Sequence, residues 1–133
     1  MTSREGDLHA LEVWTARISY AGPSRFDITR KTAWLAQKAR KPAPGDPFAP
    51  SWLLLKSGQS RNMPWEQYAA AYLTQMRLSY RVYRPAWDAL LARKRVVLVC
   101  FCKDVGHCHR RLLAEALQKL GAEYKGERPS AGG

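Results

Sequence analysis

The stretch Arg95–Cys102, with the sequence Arg-Val-Val-Leu-Val-Cys-Phe-Cys, places apolar side chains on both faces of the strand that it would form. Continuous apolar runs of this length are typical of a central strand in a parallel sheet, because such a strand is covered on both sides. We therefore predict a buried strand here. In α/β proteins the carboxyl end of a central strand is where sites are built, so we expect the functional site at the end of the strand 95–102.

A helical pattern follows this strand closely. Apolar residues recur at helical spacing, and Gly121 is a suitable helix stop; the repeating positions are Leu112, Leu113, Ala116, Leu117 and Leu120. Residues 122–125 then fit an edge strand. The order strand–helix–strand predicts a right-handed βαβ crossover. The predicted fold is α/β: a small Rossmann-like three-layer domain with a short, mainly parallel sheet.

The rest of the chain supplies the other layers. The segment Lys41–Pro50 contains four prolines, and a loop of this composition is either mobile or functional. The remaining elements are predicted from apolar periodicity and turn residues: a first strand at Leu11–Tyr20, a second strand or structured loop at Arg25–Arg30, a short helix at Ser51–Lys56, a long helix from Pro64 to Tyr83 and a further helical segment at Ala86–Arg93.

Length and composition indicate one soluble domain. The chain has 133 residues, of which 46% are hydrophobic and 25% charged, values typical of a globular protein. We predict a single α/β domain over residues 1–128 and a disordered tail over 129–133. No apolar run approaches the length of a membrane span, and the N-terminus has no apolar stretch of the signal-peptide kind. The expected location is therefore the cytoplasm, without membrane association.

The charge balance is strongly basic. Lys and Arg number 22 against 11 Asp and Glu, a net charge of +11. Such an excess favours an anionic partner, either a small molecule or a nucleic acid; the alternative is that the charge serves solubility. The basic residues are scattered along the sequence, which disfavours a dedicated surface for reading duplex DNA.

All three cysteines and two of the three histidines lie between residues 100 and 111. The first interpretation of this cluster is an anion site. Arg110 and Arg111 fall in the first turn of the predicted helix, where the helix dipole disfavours cations unless an anion is bound. Arginine also offers a bidentate fork to phosphate or carboxylate. The alternative is that both side chains extend into water.

The second interpretation is thiol chemistry. Cys108 lies beside a helix N-terminus, with Cys102 near it in sequence, and such a position favours the thiolate. His109 or His107 would serve as general acid or base. For Cys100, which lies in the predicted strand, the alternative is a small buried hydrophobic residue.

The third interpretation is a metal. Cys100, Cys102, Cys108 and His109 have the thiol and imidazole groups that zinc prefers. However, the cluster is local and lacks the paired hairpins of common zinc motifs, and adjacent ligands at 108 and 109 would strain the geometry. We therefore expect no cofactor, with zinc as the alternative.

At these residues the chain resembles a known family. The run from Arg95 to Asp104, followed by Cys108-His109-Arg110, is similar to the signature of the bacterial and phage family called domain of unknown function 488 (DUF488). Four further stretches carry the resemblance along the chain: Tyr20–Pro23, Phe26–Lys31, Phe48–Trp52 and Met76–Tyr80.

The resemblance implies a Rossmann-like fold and a shared set of site positions. These positions are Cys100, Cys108, His109 and Arg110, with Asp27 and Arg30 as further candidates. Many members have an acidic residue where this chain has Cys102, so the resemblance implies no family-wide role for that residue. It implies no particular reaction.

Three functions remain in competition. The leading hypothesis is a small enzyme acting on a nucleotide, a nucleic acid or another phosphorylated substrate. Its catalytic residues would be Cys108, His109 and Cys102, and its substrate-binding residues Arg110, Arg111, Arg30, Asp27 and Tyr20. The rival is a non-catalytic module for nucleic acid or nucleotide, with or without structural zinc. The third is an interaction or anti-defence protein of a mobile element.

Overall fold

A computed structural model of the protein describes residues 10–41, 43–59, 63–101 and 108–128. Four strands form one sheet in the order β2-β3-β1-β4, and every neighbouring pair is parallel. The predicted α/β, Rossmann-like fold is confirmed. The strands are β1 (Glu12–Arg17), β2 (Arg25–Asp27), β3 (Arg95–Cys100) and β4 (Glu123–Glu127).

The predicted central strand is β3, which lies between β2 and β1. Its residues from Val96 to Cys100 are fully buried. Alternate side chains of a strand point to opposite faces, and the two faces of β3 accordingly join two separate apolar clusters. The strand ends at Cys100, two residues earlier than the sequence predicts, and Cys102 lies outside the described residues.

Five helices lie in the described part of the chain. Four of them, with a 3-10 turn at Asp46–Phe48, belong to the larger apolar cluster, whose biggest buried side chains include Trp87 and Tyr72. None of the described helices is long and apolar enough to cross a membrane. The helices are α1 (Arg30–Lys38), α2 (Trp52–Gln59), α3 (Trp65–Val82), α4 (Arg84–Leu91) and α5 (His109–Lys119).

The helix α1 is absent from the sequence prediction. It begins because the Thr29 hydroxyl accepts a hydrogen bond from the Thr32 amide, the usual action of a threonine cap. The Asp27 carboxylate in turn accepts hydrogen bonds from the Thr29 amide and hydroxyl and from the Thr32 hydroxyl. The chain therefore passes from β2 into a helix within three residues.

The proline-rich segment is packed against the core over its described residues 43–50. Phe48 is 1% exposed, and its carbonyl oxygen accepts a hydrogen bond from the buried Tyr72 hydroxyl at 2.7 Å. The Ser79 hydroxyl donates to the carbonyl of Pro47 at 2.6 Å. Arg30 donates to the Asp46 carboxylate and to the Pro50 carbonyl, both at 2.9 Å. This segment is therefore an irregular loop, as predicted, and it forms a structural strap between α1 and α3.

The predicted edge strand is β4. It pairs with β1 at the outer side of the sheet, and the hydroxyl groups of Thr15 and Tyr124 are 2.7 Å apart across this pair. Because all four strands are parallel, the carboxyl ends of β3 and β4 lie at the same edge of the sheet. The predicted tail at 129–133 lies outside the described residues.

Candidate functional site

The site is formed where β3 ends and α5 begins. Cys100 is the last residue of β3, and Cys108 precedes α5 with extended backbone angles, so that His109 and Arg110 occupy the first turn of the helix. All four side chains are buried, with Arg110 at 0% exposure. A fully buried arginine is rare unless its charge is compensated, so the partners of this guanidinium decide what the site can do.

Arg110 donates hydrogen bonds to two sulfur atoms and one carboxylate. Its Nη1 atom is 3.3 Å from the Cys100 Sγ and 3.2 Å from the Cys108 Sγ. On its other edge, Nε and Nη2 donate to the two carboxylate oxygens of Glu127 at 3.1 and 2.7 Å. This bidentate pairing fixes the plane of the guanidinium. The group is therefore held in a geometry that directs one N–H edge at both thiols.

The electrostatics of the site keep Arg110 charged. Burial tends to lower the pKa of the guanidinium, but the hydrogen bonds to Glu127 and Cys100 and the charge on Cys108 outweigh it and raise the pKa above its usual value. A cation that donates to a sulfur atom stabilises the thiolate relative to the thiol. The arrangement therefore favours negative charge on the two sulfurs.

His109 is oriented by a backbone carbonyl. Its Nε2 atom lies 3.1 Å from the Ile28 oxygen, and because a carbonyl only accepts, Nε2 carries the hydrogen. The Nδ1 lone pair then faces the Cys108 Sγ at 4.0 Å. Burial, with a smaller contribution from Arg110, lowers the pKa of His109 below 6.5. A neutral imidazole beside a thiol is suited to accept its proton.

The stability of the protein should therefore depend on the protonation of His109. Since its pKa is lower in the folded than in the unfolded state, the unfolded chain binds more protons as the pH falls below 6.5, and the folded state loses stability over that range. We expect wild type to lose more stability on acidification than His109→Gln, whose amide can still donate to Ile28. Urea unfolding between pH 7.5 and pH 5 tests this; parallel curves for the two proteins would contradict it.

One comparison with known proteins identifies a family. A family model described as the active DUF488-N3 subclade matches residues 4–121. The chain belongs to the DUF488 family. Searches of curated proteins and of solved structures found no match. The signature residues Cys100, Cys108, His109 and Arg110 are the ones that the structure of this DUF488 protein brings together.

The other predicted site residues either lie away from these four side chains or have structural roles. Arg111 is half exposed and paired with Glu115 one turn along α5. Tyr20 belongs to the apolar cluster on the opposite face of the sheet, and its hydroxyl donates to the Pro23 carbonyl. Asp27 and Arg30 lie near the site, where Asp27 caps α1 and Arg30 holds the strap. The predicted candidates Cys102 and His107 lie outside the described residues.

Two partners of the site are absent from the sequence prediction. Glu127 is the counterion of Arg110, and the Ile28 carbonyl orients His109. A signal for Glu127 did exist: it lies two residues after the predicted edge strand 122–125, and the carboxyl ends of parallel strands share one edge of the sheet. No sequence signal marks a backbone carbonyl, because every residue has one.

The same residues have the donor atoms of a metal site. Ligand atoms of Cys100, Cys108 and His109 all lie within 4.8 Å of one another. The hydrogen bond from His109 to a carbonyl is also the arrangement that orients metal-binding histidines. However, Arg110 already contacts both sulfurs and compensates their charge. The described donor set therefore fits either a soft cation such as zinc or a pair of arginine-stabilised thiolates.

A groove on the surface is separate from this site. Its volume is about 450 Å³, and it runs between α3 and α5, with Met76, Tyr80 and Leu112 among its lining residues. None of the four signature side chains lines it. The groove is thus not the chemical centre of the described structure.

Proposed function

We propose that this DUF488 protein is a small enzyme that uses a cysteine thiolate on an anionic, phosphorylated substrate. The observation that supports it most directly is the position of Arg110, whose Nη1 atom donates to the sulfurs of both Cys100 and Cys108. A structural role alone would be served equally well by apolar groups in place of both Arg110 and Glu127, because replacing a whole buried ion pair by apolar groups is often neutral or stabilising. The description of the subclade as active is consistent with a catalytic role.

Cys108 is the better candidate for the nucleophile. It lies at the N-terminus of α5, where the helix dipole favours an anion, and it is near both Arg110 and the Nδ1 atom of His109. Cys100 also accepts a hydrogen bond from Arg110, but it ends a strand and does not lie at a helix N-terminus. In this proposal His109 accepts the thiol proton and Arg110 holds the resulting thiolate.

The substrate class follows from charge. The net charge of +11 raises the local concentration of anions and favours their approach. The guanidinium of Arg110 is engaged with Glu127 and the sulfurs, so in this proposal it acts on the nucleophile. Basic residues on the surface then attract the phosphate.

A pH titration of thiolate absorbance in the ultraviolet tests the proposal without requiring a substrate. We expect one thiol of the folded protein to titrate well below the ordinary value of about 8.5, because Arg110 stabilises the thiolate. Cys108→Ser should remove this transition, whereas Arg111→Met, a change at a half-exposed residue of the same helix, should retain it. A wild-type protein whose thiols all titrate near the ordinary value would contradict the proposal.

The second candidate is a nucleic-acid or nucleotide-binding module with structural zinc. It is favoured by the close approach of the ligand atoms of Cys100, Cys108 and His109. Metal analysis of the same preparations separates the two functions. Stoichiometric zinc that disappears in Cys108→Ser would support the zinc module, and metal-free protein with a low thiol pKa would support the enzyme.

A further inference from the structure

A patch of exposed tryptophans and lysines lies on α1 and α2. Trp34 and Trp52 are 39% and 42% exposed, and their rings meet edge to face with centroids 6.3 Å apart. We call these two residues, with Lys31, Lys38 and Lys56, the tryptophan patch. Two adjacent exposed indoles are not needed to cover a core, so they point to a binding surface.

The lysines are arranged around the indoles. Lys31 and Lys38 lie three residues before and four after Trp34, and residues at these spacings share one face of a helix. The Lys38 ammonium is 4.6 Å from the centre of the Trp34 ring. Lys56 follows Trp52 by four residues on α2. Each tryptophan therefore has a cation on its own helix face.

The surrounding segment is strongly positive. Between residues 28 and 65 the sequence has seven basic residues and a single acidic one, Asp46. Asp46 is paired with Arg30 at 2.9 Å, so its charge is compensated. The local potential around the tryptophan patch is therefore suited to a polyanion.

We propose that the tryptophan patch binds single-stranded nucleic acid. Proteins that bind single strands combine aromatic side chains, on which bases stack, with basic residues along the backbone. Both are present here within two helices. A duplex fits less well, because its bases are already stacked and their faces are closed to the indoles. The inference that single-stranded nucleic acid is the substrate rests on the proposed function. The inference that it binds the tryptophan patch does not, because the patch contains no cysteine.

The patch is connected to the cysteine site by a short piece of chain. The helix α1 begins at Arg30, two residues after Ile28, whose carbonyl oxygen holds His109. A single-stranded nucleic acid held along α1 would therefore lie close to Ile28, the residue that orients His109. A single-stranded nucleic acid is therefore a suitable class of substrate for the proposed cysteine thiolate.

The test is fluorescence anisotropy of the full-length protein with labelled oligonucleotides of one sequence, as single-stranded DNA, single-stranded RNA and duplex DNA. We expect single strands to bind more tightly than the duplex, with an affinity that falls as salt rises. Comparison of the DNA and RNA probes identifies which of the two is preferred. Trp34→Ala and Trp52→Ala should each weaken binding about tenfold, whereas Trp34→Phe should retain most of it.

The charge contribution has a matched control. Lys31→Glu with Lys38→Glu should abolish measurable binding, while Lys94→Glu with Lys119→Glu, exposed lysines on other elements, should change it much less. Equal losses in the two double variants, or duplex binding as tight as single-strand binding, would overturn the proposal. Absence of binding to every oligonucleotide, with binding to anionic lipid vesicles instead, would also overturn it in favour of a membrane surface. The cysteine titration is independent of all these outcomes.

Discussion

Replacing Arg110 with methionine is expected to lower the free energy of unfolding by about 3 kcal/mol and to raise the pKa of the Cys108 thiol toward its ordinary value. The guanidinium is fully buried and has its partners in place, with Glu127 on one edge and two sulfurs on the other. Methionine fills much of the volume but leaves these groups without their cation. Because Glu127 is still 28% exposed and a thiolate can take up a proton, we expect the lower end of the range for broken buried pairs.

The adjacent arginine is the matched control for this prediction. Arg111→Met removes the same charge from the next position of α5, but Arg111 and Glu115 are each nearly half exposed. Exposed pairs of this kind contribute at most about 0.5 kcal/mol. Urea unfolding and thiolate absorbance should therefore separate the two variants. Similar values for Arg110→Met and Arg111→Met in both measurements would show that Arg110 neither compensates buried charge nor activates a thiol.

Replacing Phe48 with alanine is expected to destabilise the protein by about 4 kcal/mol. Phe48 is 1% exposed, and its ring packs against those of Phe26 and Trp87 at centroid distances of 5.7 and 4.9 Å. Alanine would leave a cavity beside these two aromatic rings in the main core. The loss of stability measures how much the proline-rich strap contributes to the core.

Phe101→Ala makes the same chemical change at a position that is 56% exposed. Surface substitutions of this kind alter stability by about 0.5 kcal/mol or less. Thermal and urea unfolding give the change in the free energy of unfolding for both variants. Because the chemical change is the same, the difference between them reports the effect of burial. If Phe48→Ala cost no more than Phe101→Ala, the strap would not be part of the core.

The strap also connects the core to the site. The hydroxyl of Tyr72 donates to the Phe48 carbonyl, and the Tyr72 ring lies against the His109 ring with centroids 5.5 Å apart. Burial raises the pKa of Tyr72 well above its usual value, so its hydroxyl remains protonated and keeps donating. Loss of Phe48 should therefore loosen the packing around His109 as well as the core.

The elements that were predicted correctly have strong local patterns. The run of six apolar residues before Cys102 predicts a strand that is buried on both faces, because a strand with one face in water would alternate apolar and polar residues. Leucine spacing after residue 111 predicts α5 in the same way. The helix α1 lacks such a pattern: its single fully buried side chain is Ala33, and its start depends on the hydrogen bonds of Asp27 and Thr29.

The proline content of the strap predicts its irregular backbone but not its packing against the core. Four prolines predict an irregular segment, and the segment is indeed irregular apart from one 3-10 turn. Whether an irregular segment moves depends on what its side chains and carbonyls contact. The buried ring of Phe48 supplies one such contact. The hydroxyl groups of Tyr72 and Ser79 supply others, from positions 24 and 32 residues further along the chain.

The amino-acid sequence was sufficient to place Cys100 within a buried strand, near its carboxyl end, and Cys108, His109 and Arg110 at the start of the next helix, because both elements follow from local apolar patterns. It could not show that Arg110 would turn inward to the sulfurs and away from solvent. That orientation depends on Glu127, 17 residues further along the chain. Parallel pairing through β1 brings the ends of β3 and β4 to one edge of the sheet, and the buried guanidinium then takes the partners that compensate its charge. The tertiary structure thus shows Arg110, a predicted substrate-binding residue, in contact with the two sulfurs.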